Sequence, residues 1–435
     1  EAEILFSCLL AALAMICLET TKSAVTILKN WFRNFKFWQF RDSKESNPRR
    51  LERSLGVDST ASVWPHRQGT DFVLLFCVVV MVLFGLIMVY SASFIYAQEK
   101  TGDGFAFIRK QICFAVLGFV SLFVAYRIDY RRWAKWAYPV LGIAVLLLAM
   151  ILIPGVGVRV GGARRWLHFA GFNFQPGEFA KFAVIFFVAS QLDRKYERIG
   201  NITAGLLSHL IVPLPVLFLL LLQPDFGTAV MISVVIFALM FVAGVPTRRL
   251  LIALGLAFCV GLWLAIGTAY RRTRLMTFLD PWMDPGGKGF QILQSFIGIH
   301  NGGFWGVGLG NGKEKLMYLP EAHNDFLFSV IGEELGFIGI FAVLFTYLYF
   351  MYRGYRIAWN AQKYHRDRFG MFLATGITTA LGFQSFVNIA VVLGLVPTKG
   401  LTLPFMSYGG SALWVDLLAV GVLLSVSRGS SRELR

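Results

Sequence analysis

The chain has 435 residues, 56% of them hydrophobic and 15% charged, and its mean hydropathy is +0.63. A soluble domain carries about 25% charged residues, whereas apolar runs of roughly 20 residues, enough to cross about 30 Å of hydrocarbon as helices, recur here. A soluble enzyme is excluded in favour of an all-α polytopic membrane protein. The net charge of +16 comes without zinc-type spacing or an RNA-binding signature. It points to membrane-side anchoring and anionic lipid or phosphate ligands, and not to nucleic acid.

Residues 1–70 read as a cytoplasmic extension with a short apolar segment over 4–18, "ILFSCLLAALAMIC", flanked by acids where a signal peptide would be basic. "KNWFRNFKFWQFR" mixes bases with aromatics; a leaflet-bound stretch and a solvated tail both fit it. About ten spans follow, near 71–90, 112–127, 134–153, 177–192, 205–222, 226–244, 249–268, 326–352, 370–394 and 410–427. They make 71–428 one transmembrane domain, with a cytoplasmic tail over 429–435. Lys and Arg in the short loops orient both ends of this domain to the cytoplasm and the large 269–325 loop outward. Cys8, Cys17, Cys77, Cys113 and Cys259 lie in or beside apolar segments and read as packing residues, not a disulfide framework.

Several polar motifs interrupt the apolar pattern. Between spans 3 and 4, Arg164, Arg165 and Trp166 fit a phosphorylated lipid and an interfacial anchor equally well. In "QPGEFAK", Glu178 and Lys181 lie three apart on one helical face, close enough to pair. In "LLQPDFGTA", Asp225 most simply caps span 6. Arg271, Arg272 and Arg274 follow span 7 directly; guanidinium groups clustered there suit a pyrophosphate, with head-group anchoring as the plain alternative. "GGFWGVGLGNGKEK" lacks the strand-before, helix-after context of a phosphate loop and is not read as one. "YLPEAHNDFLFSVIGEELGF" opens span 8 with Glu321, His323 and Asp325, then buries Glu333 and Glu334, which read as a hydrogen-bonded packing pair. Asp325 fits a helix cap as well as a site role on spacing. Lys399 and Ser407 lie in the Pro/Gly-shaped loop "PTKGLTLPFMSYGGSAL".

Taken together and in this order, "RRWL…QPGEFAK", "LQPDFGT", "FLDPWMDPGGKGFQ", "GLGNGKEKLMYLPEAHNDF…GEELGF" and "PTKGLTLPFMSYGGSAL" resemble the SEDS family, the polytopic glycosyltransferases of bacterial cell-wall synthesis. The resemblance covers roughly residues 70–428 and is nearer the family's division enzymes than its RodA-like members. The family's usual His-Thr-Asp is His323-Asn324-Asp325 here, its Gln-Pro-Ser-Glu is Gln175-Pro176-Gly177-Glu178, and its Gly-Gly-Ser-Ser is Gly409-Gly410-Ser411-Ala412.

The resemblance implies polymerisation of lipid II into a β-1,4-linked glycan, with release of undecaprenyl pyrophosphate, at the outer side of the bacterial inner membrane and the division septum. It implies Asp325 as the catalytic base and a holder of a divalent cation, Mg or Mn, with no organic cofactor. Arg271, Arg272, Arg274 and Lys399 would contact the pyrophosphate, with Arg164, Arg165, Glu178 and Lys181 lining the substrate cavity and Glu321, His323 and Ser407 in support. The implied partners are a class B penicillin-binding protein transpeptidase and other division membrane proteins. A lipid II flippase and a non-catalytic division scaffold are the competing readings.

Overall fold

The computed structural model describes residues 69–160, 163–169, 172–267, 269–287, 289–315 and 322–429. The expectations for residues 1–68, for Glu321 and for the tail beyond 429 lie outside the described residues, as does the side chain of Arg271.

Every expected span coincides with a helix or a helical series. They are α1 (Phe72–Thr101), α2 (Ala106–Arg127), α3 (Arg131–Leu152) and α4 (Pro176–Arg194), then the broken series α5 (Ser208–Ile211) and α6 (Leu214–Leu222). After these come α7 (Phe226–Val242), α8 (Thr247–Ile266), α9 (Ala269–Leu279), α10 (Phe290–Gly302), α11 (Leu327–His365), α12 (Arg368–Val392) and α13 (Gly410–Arg428). Eight helical stretches among the described residues are long and apolar enough to cross a membrane. α4 runs to Arg194, two residues beyond the expected end of the fourth span at 192.

Local chemistry sets the ends of these helices. Asp71 caps α1 by accepting the Leu74 amide at 2.9 Å, and Gly102 closes it at φ 73°, where a side chain would be strained. The same Asp71 carboxylate receives Arg353 at 2.6 Å, tying the start of α1 to the far half of α11. In hydrocarbon no hydrophobic force drives helices together, so small residues that let backbones approach do the packing. Gly421 of α13 is one: a Cβ there would sit 2.8 Å from Leu122 Cα of α2. At the other extreme, α8 leaves Leu251, Ile252, Leu256, Phe258 and Trp263 exposed, as a lipid-facing helix does.

Two features depart from the sequence reading. Residues 157–174, read as a loop, form a three-stranded antiparallel sheet of β1 (Gly157–Val160), β2 (Ala163–Phe169) and β3 (Phe172–Phe174), with a bulge between Val158 and Arg159. The alternation in "VRVGGARRWLHF", with Gly-Gly at the turn, is a hairpin signal outweighed by the neighbouring membrane spans. The second is a break in α11 at Gly336 (φ 66°, ψ −161°). Backbone groups freed at membrane depth need partners, and the 303–315 loop supplies them. Val307 and Gly308 amides donate to the Glu333 and Glu334 carbonyls at 3.0 Å each, and the Phe337 amide donates to Gly303 at 2.9 Å.

The side chains of Glu333 and Glu334 complete this clasp. Glu333 accepts the Lys313 and Glu314 amides at 2.7 and 3.2 Å. Glu334 receives Lys315 Nζ at 2.7 Å and the Ser91 hydroxyl of α1, also at 2.7 Å. The pair is structural, as expected, but it fastens a loop and α1 and does not simply join two helices. Burial beside Glu333 pushes the Glu314 carboxyl up to about 7. Of the described cysteines only Cys77 packs inside; Cys113 and Cys259 are exposed.

Candidate active site

One end of the bundle gathers β2, α9, Asp325 and the 393–409 loop near the start of α7. Pro224 has no amide to donate just before that helix, and Asp225 supplies an acceptor for the helix's first free amides. Its Oδ1 takes the Thr228 amide at 3.3 Å and its Oδ2 the Thr228 hydroxyl at 2.8 Å. The expected cap is therefore present. Arg165 reaches the same turn from β2, donating through Nε to the Gln223 carbonyl at 3.4 Å and through Nη2 to the Pro224 carbonyl.

Lys399 lies across the first turn of α7, its ammonium 5.6 Å from the Phe226 ring centre. Gly227 lies under its stem: a Cβ there would stand at ordinary contact, 3.6 Å, from Lys399 Cδ. Burial holds the Lys399 ammonium below the usual lysine range, against the pull of the Asp225 carboxylate. Arg274 of α9 donates to the Thr398 carbonyl at 2.9 Å, so a second cation is fastened to the same loop. The next residue, Gly400, abuts the carboxylate of Asp325: a Cβ on it would lie 3.5 Å from Asp325 Oδ2. The half-buried Asp325, the Lys399 loop and Arg274 thus meet near the N-terminus of α7, which the Asp225 carboxylate caps.

The other expected residues fall into two groups. Arg164 and Arg272 are exposed on β2 and α9. Glu178 and Lys181 pair as their spacing requires, at 2.8 Å, but deep in the bundle, where Lys181 is only 2% exposed. Lys181 also donates to Gln384 Oε1 at 2.6 Å and faces Asp416 Oδ1 at 3.6 Å. His323 is buried among Tyr96, Phe107 and Tyr408, with ring centres 4.9 to 5.5 Å away, and its carbonyl accepts the Tyr408 amide at 2.9 Å. Burial and nearby Lys100 depress its pKa to about 4, which keeps the ring neutral at physiological pH. Ser407 folds the loop on itself, accepting the Leu403 amide at 3.1 Å.

Sequence reading missed Gln111, Gln384, Asn388 and Asp416. All are nearly fully buried polar groups inside apolar runs, and a polar residue at that depth is a functional signal by default. Gln384 and Asn388 are four apart and so share one face of α12.

Eight helices among the described residues long and apolar enough to cross a membrane make this a multi-pass membrane protein. Residues 71–432 match the FtsW/RodA/SpoVE family, described as "Cell cycle protein", and the chain belongs to that family. The "Probable peptidoglycan glycosyltransferase FtsW" of Trichlorobacter lovleyi is 47% identical over 362 residues, covering 82% of this chain and 93% of the relative. The "Stage V sporulation protein E" of Bacillus subtilis is 40% identical over 366 residues, 84% of this chain and 98% of the relative. Among solved structures, a chain from "Structural coordination of polymerization and crosslinking by a peptidoglycan synthase complex" superposes with a TM-score of 0.69 at 33% identity. It covers 84% of this chain and 99% of that one. RodA of Thermus thermophilus superposes at 0.59 with 29% identity, covering 82% and 97%.

Proposed function

We propose that the Asp325–Lys399–Arg274 site carries out the glycosyl transfer for which the FtsW relatives are named. The chain is a peptidoglycan glycosyltransferase of cell division. It joins lipid II units into a β-1,4-linked glycan and releases undecaprenyl pyrophosphate. The observation that carries this reading is the abutment of Asp325 on Gly400, the residue after Lys399. The Asp325 carboxylate and the segment that bears Lys399 are therefore neighbours, which supports pairing a base with a phosphate-binding cation.

The chemistry needs both. The acceptor sugar hydroxyl loses its proton to the Asp325 carboxylate as its oxygen attacks the anomeric carbon of the donor. The bond from that carbon to the pyrophosphate breaks, and the electron pair leaves with the diphosphate. A pyrophosphate leaves without strong acid assistance if its growing charge is met by cations, so one carboxylate suffices where glycosidases use two. Lys399 and Arg274 meet that charge, with the start of α7 behind them. Buried Lys181 serves by fixing helices.

A divalent cation also fits this reading. Among the described residues no group of three or more His, Cys, Asp or Glu side chains is poised to enclose one. The chain itself offers Asp325, and phosphate oxygens of the substrate would complete the set, as magnesium sites commonly do. Bound there, the cation would neutralise pyrophosphate charge.

Loop charges support a site on the outer side of the inner membrane. Arg127, Arg131, Arg132, Arg194, Lys195, Arg248 and Arg249 cluster at the opposite ends of the spans. The complex of polymerisation and crosslinking among the structural relatives supports a crosslinking partner; under this reading it is a class B penicillin-binding protein transpeptidase acting at the septum.

The test is polymerisation of labelled lipid II by the purified protein with its transpeptidase partner and a divalent cation. Asp325→Asn is expected to lower the rate at least about 100-fold. Undiminished polymer from that variant would remove Asp325 as the base. Lipid scrambling without polymer from the wild type would favour a flippase.

A further inference from the structure

The 398–409 loop carries Lys399, touches Asp325 and has no regular secondary structure. Its backbone polar groups lie against the bundle interior, where unpaired carbonyls are costly. Side chains from three helices meet that need, among them Tyr347 of α11, whose hydroxyl donates to the Pro404 carbonyl. Gln111 of α2 donates to the Ser407 carbonyl at 3.1 Å and accepts the Gly409 amide at 3.3 Å. Gln384 of α12 donates to the Thr402 carbonyl at 3.1 Å while its oxygen holds Lys181. One turn further along, Asn388 spends its amide nitrogen twice, on the Leu401 carbonyl at 2.6 Å and on the Asp325 carbonyl at 2.8 Å.

That last arrangement stands apart from the others. Asp325 and Leu401 are far apart in sequence, one just before α11 and one in the loop after α12. A single carboxamide therefore bridges the segment bearing the carboxylate to the segment bearing the ammonium. It is 1% exposed, and its Oδ1 accepts no hydrogen bond among the described residues. An Asn whose acceptor goes unused while both N–H groups are engaged is held there for its donors: a buried unpaired oxygen carries a cost, and an apolar residue of equal size would avoid it.

We propose that Asn388 is a positioning residue for glycosyl transfer, clamping the Asp325 segment to the Lys399 loop and thereby fixing the distance between base and leaving-group site. This rests on the assignment of Asp325 and Lys399 above. Gln384, from the same face of α12, steadies the next residue of the loop. A displacement of about 1 Å between reacting groups costs on the order of 100-fold in rate, so the clamp acts on kcat more than on lipid binding.

Asn388→Leu keeps the side-chain size and removes both donors without adding charge; Asn388→Asp turns the donors into an acceptor facing two carbonyls. Thr379→Val is the control, since Thr379 lies in the same helix but its hydroxyl pairs with that of Tyr355 at 3.0 Å, away from the loop. Two readouts are taken on the full chain with its partner. Polymerisation kinetics are expected to show kcat lowered about 10- to 100-fold in both Asn388 variants, with KM for lipid II within about twofold. Hydrogen exchange of the 398–409 amides, read by mass spectrometry, is expected to quicken about tenfold in Asn388→Leu and not in Thr379→Val. Unchanged exchange in Asn388→Leu overturns the clamp, whatever the kinetics. Faster exchange with unchanged kcat overturns its role in positioning. Full activity of Asp325→Asn, by contrast, sinks the assignment of the base and leaves the exchange result to judge the clamp.

Discussion

Replacing Lys181 by Met should be among the most destabilising single changes available in this chain. The ammonium is 2% exposed and meets Glu178 at 2.8 Å, Gln384 at 2.6 Å and Asp416 at 3.6 Å. Removing it leaves two carboxylates from different helices, α4 and α13, facing each other with no cation between them. Breaking a buried pair in this way costs about 3–5 kcal/mol. Glu178 lies in the first turn of α4, where the helix N-terminus offsets part of its charge, so the lower half of that range is expected. Asp416→Asn removes only the longer contact and takes a charge away with it; a change within about 1 kcal/mol follows. In the triple variant Lys181→Met, Glu178→Gln, Asp416→Asn no charge remains, and most of the loss should return. The assay is thermal unfolding of the detergent-solubilised protein followed by intrinsic fluorescence. The reasoning fails if Lys181→Met melts with the wild type, or if the triple variant is no more stable than the single one.

Two further outcomes are expected. His323 has a pKa of about 4 when folded and 6.5 when free, so the unfolded chain takes up its proton first. Its contribution is whole above pH 6.5 and is lost as pH falls through 4, about 3 kcal/mol in all. Melting temperature recorded from pH 7.5 to 4 should fall across that window, less steeply in His323→Gln; identical slopes would refute the assignment. Gly421→Ala should lower stability by about 1–3 kcal/mol through overpacking, because its Cβ would lie 2.8 Å from Leu122 Cα. Gly142→Ala, a helical glycine with nothing within 4 Å of the added Cβ, should be neutral or slightly stabilising in the same melts.

Helix positions were legible in the chain because crossing a bilayer demands about 20 apolar residues in succession, a requirement met locally and readable without neighbours. The Asp225 cap and the Glu178–Lys181 pair were legible for the same reason: partners three residues apart meet by helical geometry. Ordered motifs also carried the family, since its pattern survives as short strings with fixed order. Tertiary structure decided everything that joins distant segments. No spacing reveals that Lys181 has a second carboxylate in Asp416, that Glu333 and Glu334 clasp the 303–315 loop across a break at Gly336, or that Asn388 ties Asp325 to Leu401. These contacts come from helix packing, which brings together residues hundreds of positions apart: 298 separate Gln111 from Gly409. Buried polar groups must find partners wherever packing puts them; the chain announces that Asn388 needs one, and only the fold says which.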